Sequence, residues 1–204
     1  MNQPAVPHRL PLPTGLPVGA VNVYLFPEPE PVLVDTGVRS EESLSALQTG
    51  LAEHGLSFAD LRRIIISHPH IDHFGLTGTI AARSRATIHI LAMSIPWLTD
   101  YRTLWRRRVA YYRDRLFPRL GLPDDITAPI LTYYTEIESR CDSVPPERIV
   151  PFQAEDRLSM GGAAWRVLHT PGHTNTLTCF YQPETRQFLS TDMLLPIAPT
   201  PIPD

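Results

Sequence analysis

The apolar run "LRRIIIS" (61–67) leads straight into "HPHIDHFG", which puts three histidines and an aspartate into six positions, 68–73. A β-type run that ends in so many ligand-type groups constrains the fold, because layered α/β architectures gather reactive side chains at strand ends. Two later runs repeat the arrangement. "AAWRVLHT" (163–170) continues into "PGHT", and "RQFLSTD" (186–192) ends on Asp192. A polar turn with capping roles is a poor account of the first cluster and a fair one of the lone histidine in the second. Three together point to one constellation.

The rest of the chain fits that class. "AVNVYLF" (20–26) and "PVLVDTG" (31–37) are valine-rich runs separated by "PEPE", the pattern of a hairpin of two buried strands. A helix follows, with Ser40 as N-cap, Glu41 and Glu42 in its first turn, Leu44, Leu47 and Leu51 at helical spacing, and Gly55 as its stop. "GLTGTIAARS" (75–84) reads as helical and "ATIHIL" (86–91) as a strand. Residues 94–140 read as two or three helices broken near Pro118 and Pro129. "TLTCFY" (176–181) is a further strand, and "QPET" is the turn after it. Proline-rich segments at both ends and near 145–151 read as connectors, and no internal repeat is visible.

Bulk properties narrow the functional classes. A chain of 204 residues forms one domain with a real core. A net charge of −3 gives no field for nucleic acid. No apolar run reaches the length of a membrane span, and the first residues lack the basic start and apolar stretch of a signal peptide. The expectation is a cytoplasmic protein with no membrane partner. Cys141 and Cys179 are far apart in no ligand-like spacing and are expected as reduced thiols. All 18 basic residues are arginine, which excludes Schiff-base chemistry and a P-loop lysine.

Histidine suits zinc and other borderline metals, and aspartate is a hard oxygen donor. His68 and His70 are two residues apart, so in an extended segment they point the same way, and Pro69 favours that conformation at His68. Asp72 and His73 follow where the chain turns toward a helix and can face a second metal position. The Pro-Gly pair of "HTPGHT" makes a tight turn that can present His173.

These motifs resemble the metallo-β-lactamase superfamily of metal-dependent hydrolases. The signature H-x-H-x-D-H is met by His68, His70, Asp72 and His73. "VDTG" matches at Asp35, Thr36 and Gly37, "TPGH" at Thr170 to His173, and the later aspartate at Asp192, where Thr-Asp stands for the usual Gly-Asp. The resemblance implies a four-layer αβ/βα sandwich with the site along one edge of its two sheets. It implies that His68, His70 and His173 bind a first metal, that Asp72 and His73 bind a second, and that Asp192 bridges them. It implies two divalent ions, zinc foremost, with iron or manganese as substitutes. Asp35 would lie behind the ligands and orient the histidine loop. The family usually supplies a further histidine after the bridging aspartate, but all eight histidines here lie at or before position 173. The expectation is therefore a chain lacking the C-terminal part of the sandwich.

The ligand set implies hydroxide generated from water at neutral pH, with Asp72 holding the nucleophile and passing a proton toward the leaving group. Ser67 and Ser190 read as structural. The segment 94–140 lies where the superfamily often places a lid or substrate-recognition region. Between residues 97 and 119 it interleaves aromatics with seven arginines, which suit an apolar pocket and a carboxylate or phosphate, or else pack helices and face water. With no cysteine ligand, the chain resembles the hydroxyacylglutathione hydrolase-like branch, so the substrate expected is a small-molecule thioester, lactone or related ester. Three alternatives stand beside it: a mononuclear iron persulfide dioxygenase, a nuclease of the same fold, and a non-catalytic metal-binding scaffold.

Overall fold

The computed structural model describes residues 6–195. In chain order, the strands are β1 (His8–Leu12), β2 (Val21–Phe26), β3 (Val32–Val34), β4 (Arg63–Ile66), β5 (Thr87–Leu91), β6 (Ile149–Phe152), β7 (Arg157–Met160), β8 (Ala163–His169), β9 (Thr178–Gln182) and β10 (Gln187–Leu189). The helices are α1 (Glu41–Ala52), α2 (Ile71–Phe74), α3 (Thr77–Ala81), α4 (Ile95–Thr99), α5 (Tyr101–Tyr111), α6 (Phe117–Arg119) and α7 (Asp124–Ile137).

The strands form two sheets. The larger has the order β1-β2-β3-β4-β5-β6, and the smaller the order β10-β9-β8-β7. The expected hairpin forms, with Leu25 opposite Leu33, and β3 to β6 then run parallel. The sheets face one another across an apolar layer in which Phe26, Ile65 and Phe152 meet Trp165, Val167 and Phe180. Trp165 is fully buried there, and its Nε1–H donates to Met160 O at 3.0 Å, so the largest side chain of this core leaves no polar atom unpaired.

On the other face of the larger sheet, α1 packs through Leu47 and Leu51, with Ser40 Oγ accepting from Ser43 N at 3.1 Å as its cap. The fold is thus the expected mixed α/β sandwich. Among the described residues, helices, large sheet and small sheet make three of its layers. Both cysteines are free and buried. No described helix is long and apolar enough to cross a membrane.

Two readings need correction. The proline-rich segments near 8–12 and 149–152 are strands rather than connectors, and they are the two edges of the larger sheet. Pro11 and Pro151 lack an N–H, which only an edge strand tolerates. The far C-terminal proline run, residues 196–204, lies outside the described residues. The expected breaks also move. α7 continues through Pro129, and the chain instead breaks between α6 and α7, around Gly121 with its φ of +64°. Before Pro118, residues 112–116 widen into a π turn, which accommodates a ring nitrogen with no hydrogen to give.

Candidate metal centre

Topology brings the sequence-selected residues to one rim. β3 and β4 are parallel, so Asp35 and the histidine loop leave the larger sheet at the same end. β8 and β10 both run antiparallel to β9, so the turn carrying His173 and the segment carrying Asp192 leave the smaller sheet together. β9 ties the two rims: Thr178 N and Oγ1 both donate to Ser67 O, at 3.1 and 2.7 Å.

Three imidazole nitrogens converge first. His68 Nε2 lies 3.0 Å from His70 Nδ1, which lies 2.7 Å from His173 Nε2. His70 reaches this position because it is still extended, at φ −81° and ψ 148°, before the chain turns into α2. His169 Nε2 donates to Asn175 O at 2.8 Å and closes the turn that presents His173. Burial and the neighbouring rings of His73, His70 and His173 push the His68 pKa well below its usual value, so it stays neutral, the form a metal needs. Burial and His70 push His173 the same way.

His73 faces a different environment. Its Nδ1 donates to Asp35 Oδ2 at 2.8 Å, leaving Nε2 aimed at Asp192 Oδ1 (3.4 Å) and Asp72 Oδ2 (3.7 Å). Those separations are long for hydrogen bonds, and this buried nitrogen has no hydrogen-bond partner among the described residues. Burial opposes a charge on His73, but the carboxylates of Asp72, Asp35 and Asp192 outweigh it and hold its pKa well above the usual range. Burial likewise raises the Asp192 pKa, yet His73 and His173 bring it below its usual value. The spot attracts positive charge, as a cation-binding site must. His68, His70 and His173 form one compact group that could hold an ion, and His68, His73 and Asp192 form a second. Asp72 falls outside both compact groups. Asp192 presents Oδ1 to His73 and Oδ2 to His173, each at 3.4 Å.

The "VDTG" stretch builds the support. Asp35 adopts φ +63° and is buried, with its carboxylate accepting from Ser67 N and Ser67 Oγ, both at 2.8 Å, as well as from His73. Thr36 N and Oγ1 donate to His73 O at 2.7 and 2.9 Å. Gly37 sits at φ +83°, and a Cβ there would come within 2.6 Å of Ser43 Oγ. Ser67, read as structural from sequence, thus joins Asp35, His68 and β9. The other histidines lie elsewhere: the His8 and His54 rings pack 4.1 Å apart, tilted by 50°, and His89 bonds Thr87 Oγ1 at 2.9 Å.

Two cavities flank the cluster and share Leu16, His70 and Asp72. One, of 320 Å³, is bounded by β2 residues including Tyr24 and by Asp192. The other, of 220 Å³, lies under the 94–140 helices and is walled by Trp97, Tyr101, Trp105, Tyr112 and Tyr134. Of the seven arginines between 97 and 119, Arg108 lines this cavity. Arg106 pairs with Glu138 and Arg113 with Asp114 at the surface.

The metallo-beta-lactamase superfamily model matches residues 16–204. The chain belongs to that superfamily. A Bacillus subtilis relative named "Probable metallo-hydrolase YqjP" is 26% identical over 186 residues, covering 90% of this chain and 56% of that protein. A second from the same organism, "Probable metallo-hydrolase YflN", is 25% identical over 187 residues, covering 90% and 64%. A metallo-beta-lactamase family protein from Thermus thermophilus superposes with a TM-score of 0.79 at 29% identity, covering 96% of this chain and 62% of that one. A beta-lactamase domain protein from Burkholderia ambifaria shares the fold, with a TM-score of 0.70 at 22% identity, covering 95% of this chain and 55% of that one. This chain therefore spans little more than half to two thirds of the length of these proteins.

Proposed function

We propose that this chain carries the metal site of a binuclear hydrolase acting on a small thioester, lactone or related ester. The observation that carries the reading is Asp192, whose two carboxylate oxygens face two separate histidines, His73 and His173, at 3.4 Å each. Such a carboxylate suits a bridge between a His68–His70–His173 position and a second position offered by His73 with Asp72. Divalent ions held there, zinc foremost and iron or manganese as substitutes, would polarise a substrate carbonyl and bring the pKa of water toward neutrality.

The chain's own groups have distinct roles. Asp35 accepts the His73 Nδ1–H in a hydrogen bond, so Nε2 is the nitrogen left to face an ion, which on binding would displace the proton that the surrounding carboxylates favour there. Asp72 lines both cavities, which suits it to hold a proton from the attacking water and return it to the leaving group. Aromatic side chains wall the cavity on one side of the site. A panel of thioesters, lactones and esters tests the reading: turnover abolished by chelation, restored by zinc and lost in His173→Ala supports it. A metal-loaded protein that turns over none of the panel is a binding scaffold.

One observation favours a second reading. His68, His73 and Asp192 make a two-histidine, one-carboxylate set, the type that holds a single non-haem iron in oxygenases. One iron per chain with oxygen consumed on a persulfide would replace hydrolysis with that chemistry.

A further inference from the structure

Tyr24 stands on β2 opposite Val34, the residue before Asp35, so it lies beside the rim that carries the candidate ligands. Half-buried, it packs against the apolar layer between the two sheets. A phenylalanine would serve that packing as well. A tyrosine whose ring is held in a core normally finds a partner for its hydroxyl. The Tyr24 hydroxyl has no hydrogen-bond partner among the described residues, and it is not sealed from solvent either. Tyr24 instead forms part of the wall of the 320 Å³ cavity that also takes in Asp72, His73, His173 and Asp192.

Few side chains of this cavity suit a negative charge on a ligand. Asp72 and Asp192 are acceptors and repel one. The Thr191 hydroxyl is committed to Thr178 O at 3.0 Å, and Ser190 Oγ faces Leu194 O at 3.5 Å. Asn22 lines the cavity two residues before Tyr24 on the same strand face, but it is exposed and no packing fixes it. Tyr24 is held by its ring. Burial, with Asp35 and Asp192 nearby, raises its pKa against Arg9 and His73, so at neutral pH its phenol keeps its proton and is a hydrogen-bond donor. A donor fixed in advance is the kind that stabilises a charge developing during a reaction.

We propose that Tyr24 is a catalytic residue whose phenol O–H donates a hydrogen bond to the carbonyl oxygen of the ester or thioester as that oxygen becomes negative. Water adds to the carbonyl carbon, Asp72 takes its proton, and the C=O π pair moves onto the carbonyl oxygen. The pair then returns, the C–O or C–S bond breaks, and the proton goes to the departing oxygen or sulfur. Tyr24 donates to the charged oxygen between those two steps and keeps its own proton throughout. This rests on the hydrolase reading for the reaction, though not for whether the cavity binds a tetrahedral anion through Tyr24.

Tyr24→Phe removes the hydroxyl and keeps the ring. The probe is methylphosphonate, which carries its charge on oxygens around a tetrahedral centre, as the addition intermediate does. It is titrated calorimetrically into the zinc-loaded wild type and variant. The wild type is expected to bind it about tenfold or more tightly than the variant, the usual effect of losing a hydrogen bond to a charged group. Zinc content and the urea midpoint of the variant should match those of the wild type, because the hydroxyl bonds no described residue. On any ester that the protein turns over, kcat should fall about a hundredfold with KM little changed. Equal affinity of the two proteins for methylphosphonate, or no binding by the wild type at millimolar concentration, would overturn the proposal. So would a variant that loses zinc, which would make Tyr24 a ligand, or one that unfolds at lower urea, which would make its hydroxyl structural. Failure of the hydrolase reading would appear separately, as methylphosphonate binding that depends on Tyr24 with no ester turned over.

Discussion

Asp35 Oδ2 lies 2.8 Å from His73 Nδ1 and 2.8 Å from Ser67 Oγ, so one buried oxygen orients both ends of the histidine loop. Asp35→Asn isolates this role, because asparagine tolerates the left-handed backbone that Asp35 adopts at φ +63°. Metal affinity should fall by about 10–100-fold, the usual effect of removing an outer carboxylate behind a histidine ligand. Competition with a chelator measures it, and unchanged affinity would mean that His73 is positioned by its backbone alone.

Gly75 closes the histidine loop where three backbone segments meet. A Cβ there would stand 2.7 Å from Arg39 N and 2.8 Å from Arg140 O, two atoms that bond each other at 3.0 Å. Because the obstacles are backbone, Gly75→Ala should cost about 2–4 kcal/mol of stability, the range of overpacking with a lost hydrogen bond. Urea denaturation tests this, and a loss below 1 kcal/mol would show that the loop yields readily.

Thr191 precedes the bridging candidate and adopts φ +45°, strained for a β-branched residue. Its hydroxyl donates to Thr178 O at 3.0 Å. Thr191→Val keeps the strain and loses the bond, and should destabilise by about 1–2 kcal/mol. Thr191→Gly loses the bond but relieves the strain, so the glycine variant should be the more stable of the two. Thermal melts that rank valine at or above glycine would refute the strain.

His89 sits away from the site, and burial, aided by Arg63 and opposed by Glu30, lowers its pKa from 6.5 to about 4. Between those values the unfolded chain binds a proton that the folded protein refuses, so stability falls as pH drops through that window. The effect should be on the order of 1 kcal/mol after allowing for partial exposure. His89→Asn should flatten that part of the stability profile relative to wild type. Identical slopes for both between pH 6.5 and 4 would contradict it.

Much of this was legible in the sequence because ligand residues lie next to strand ends. The valine and isoleucine runs mark β2, β3 and β4, and the turns that follow them carry Asp35 and the histidines. β1 and β6 were hidden because Pro11 and Pro151 read as breakers, a signal that edge position reverses. β7, "RLSM", is too short and polar to show a period. Arg108 could not be told from six neighbouring arginines, since its place depends on helix phase and on where Trp97 packs. The left-handed turn at Thr191 had no glycine to announce it. Ser67 looked inert because its role appears only when Asp35 and Thr178, distant in sequence, close around it.

The central claim is a two-ion site bridged by Asp192. Metal content per chain after zinc loading, by elemental analysis of wild type and Asp192→Ala, tests it most directly. The account predicts about two zinc ions per wild-type chain and a loss of at least one in the variant. A single iron retained through purification, or wild-type and variant holding the same number of ions, would contradict it.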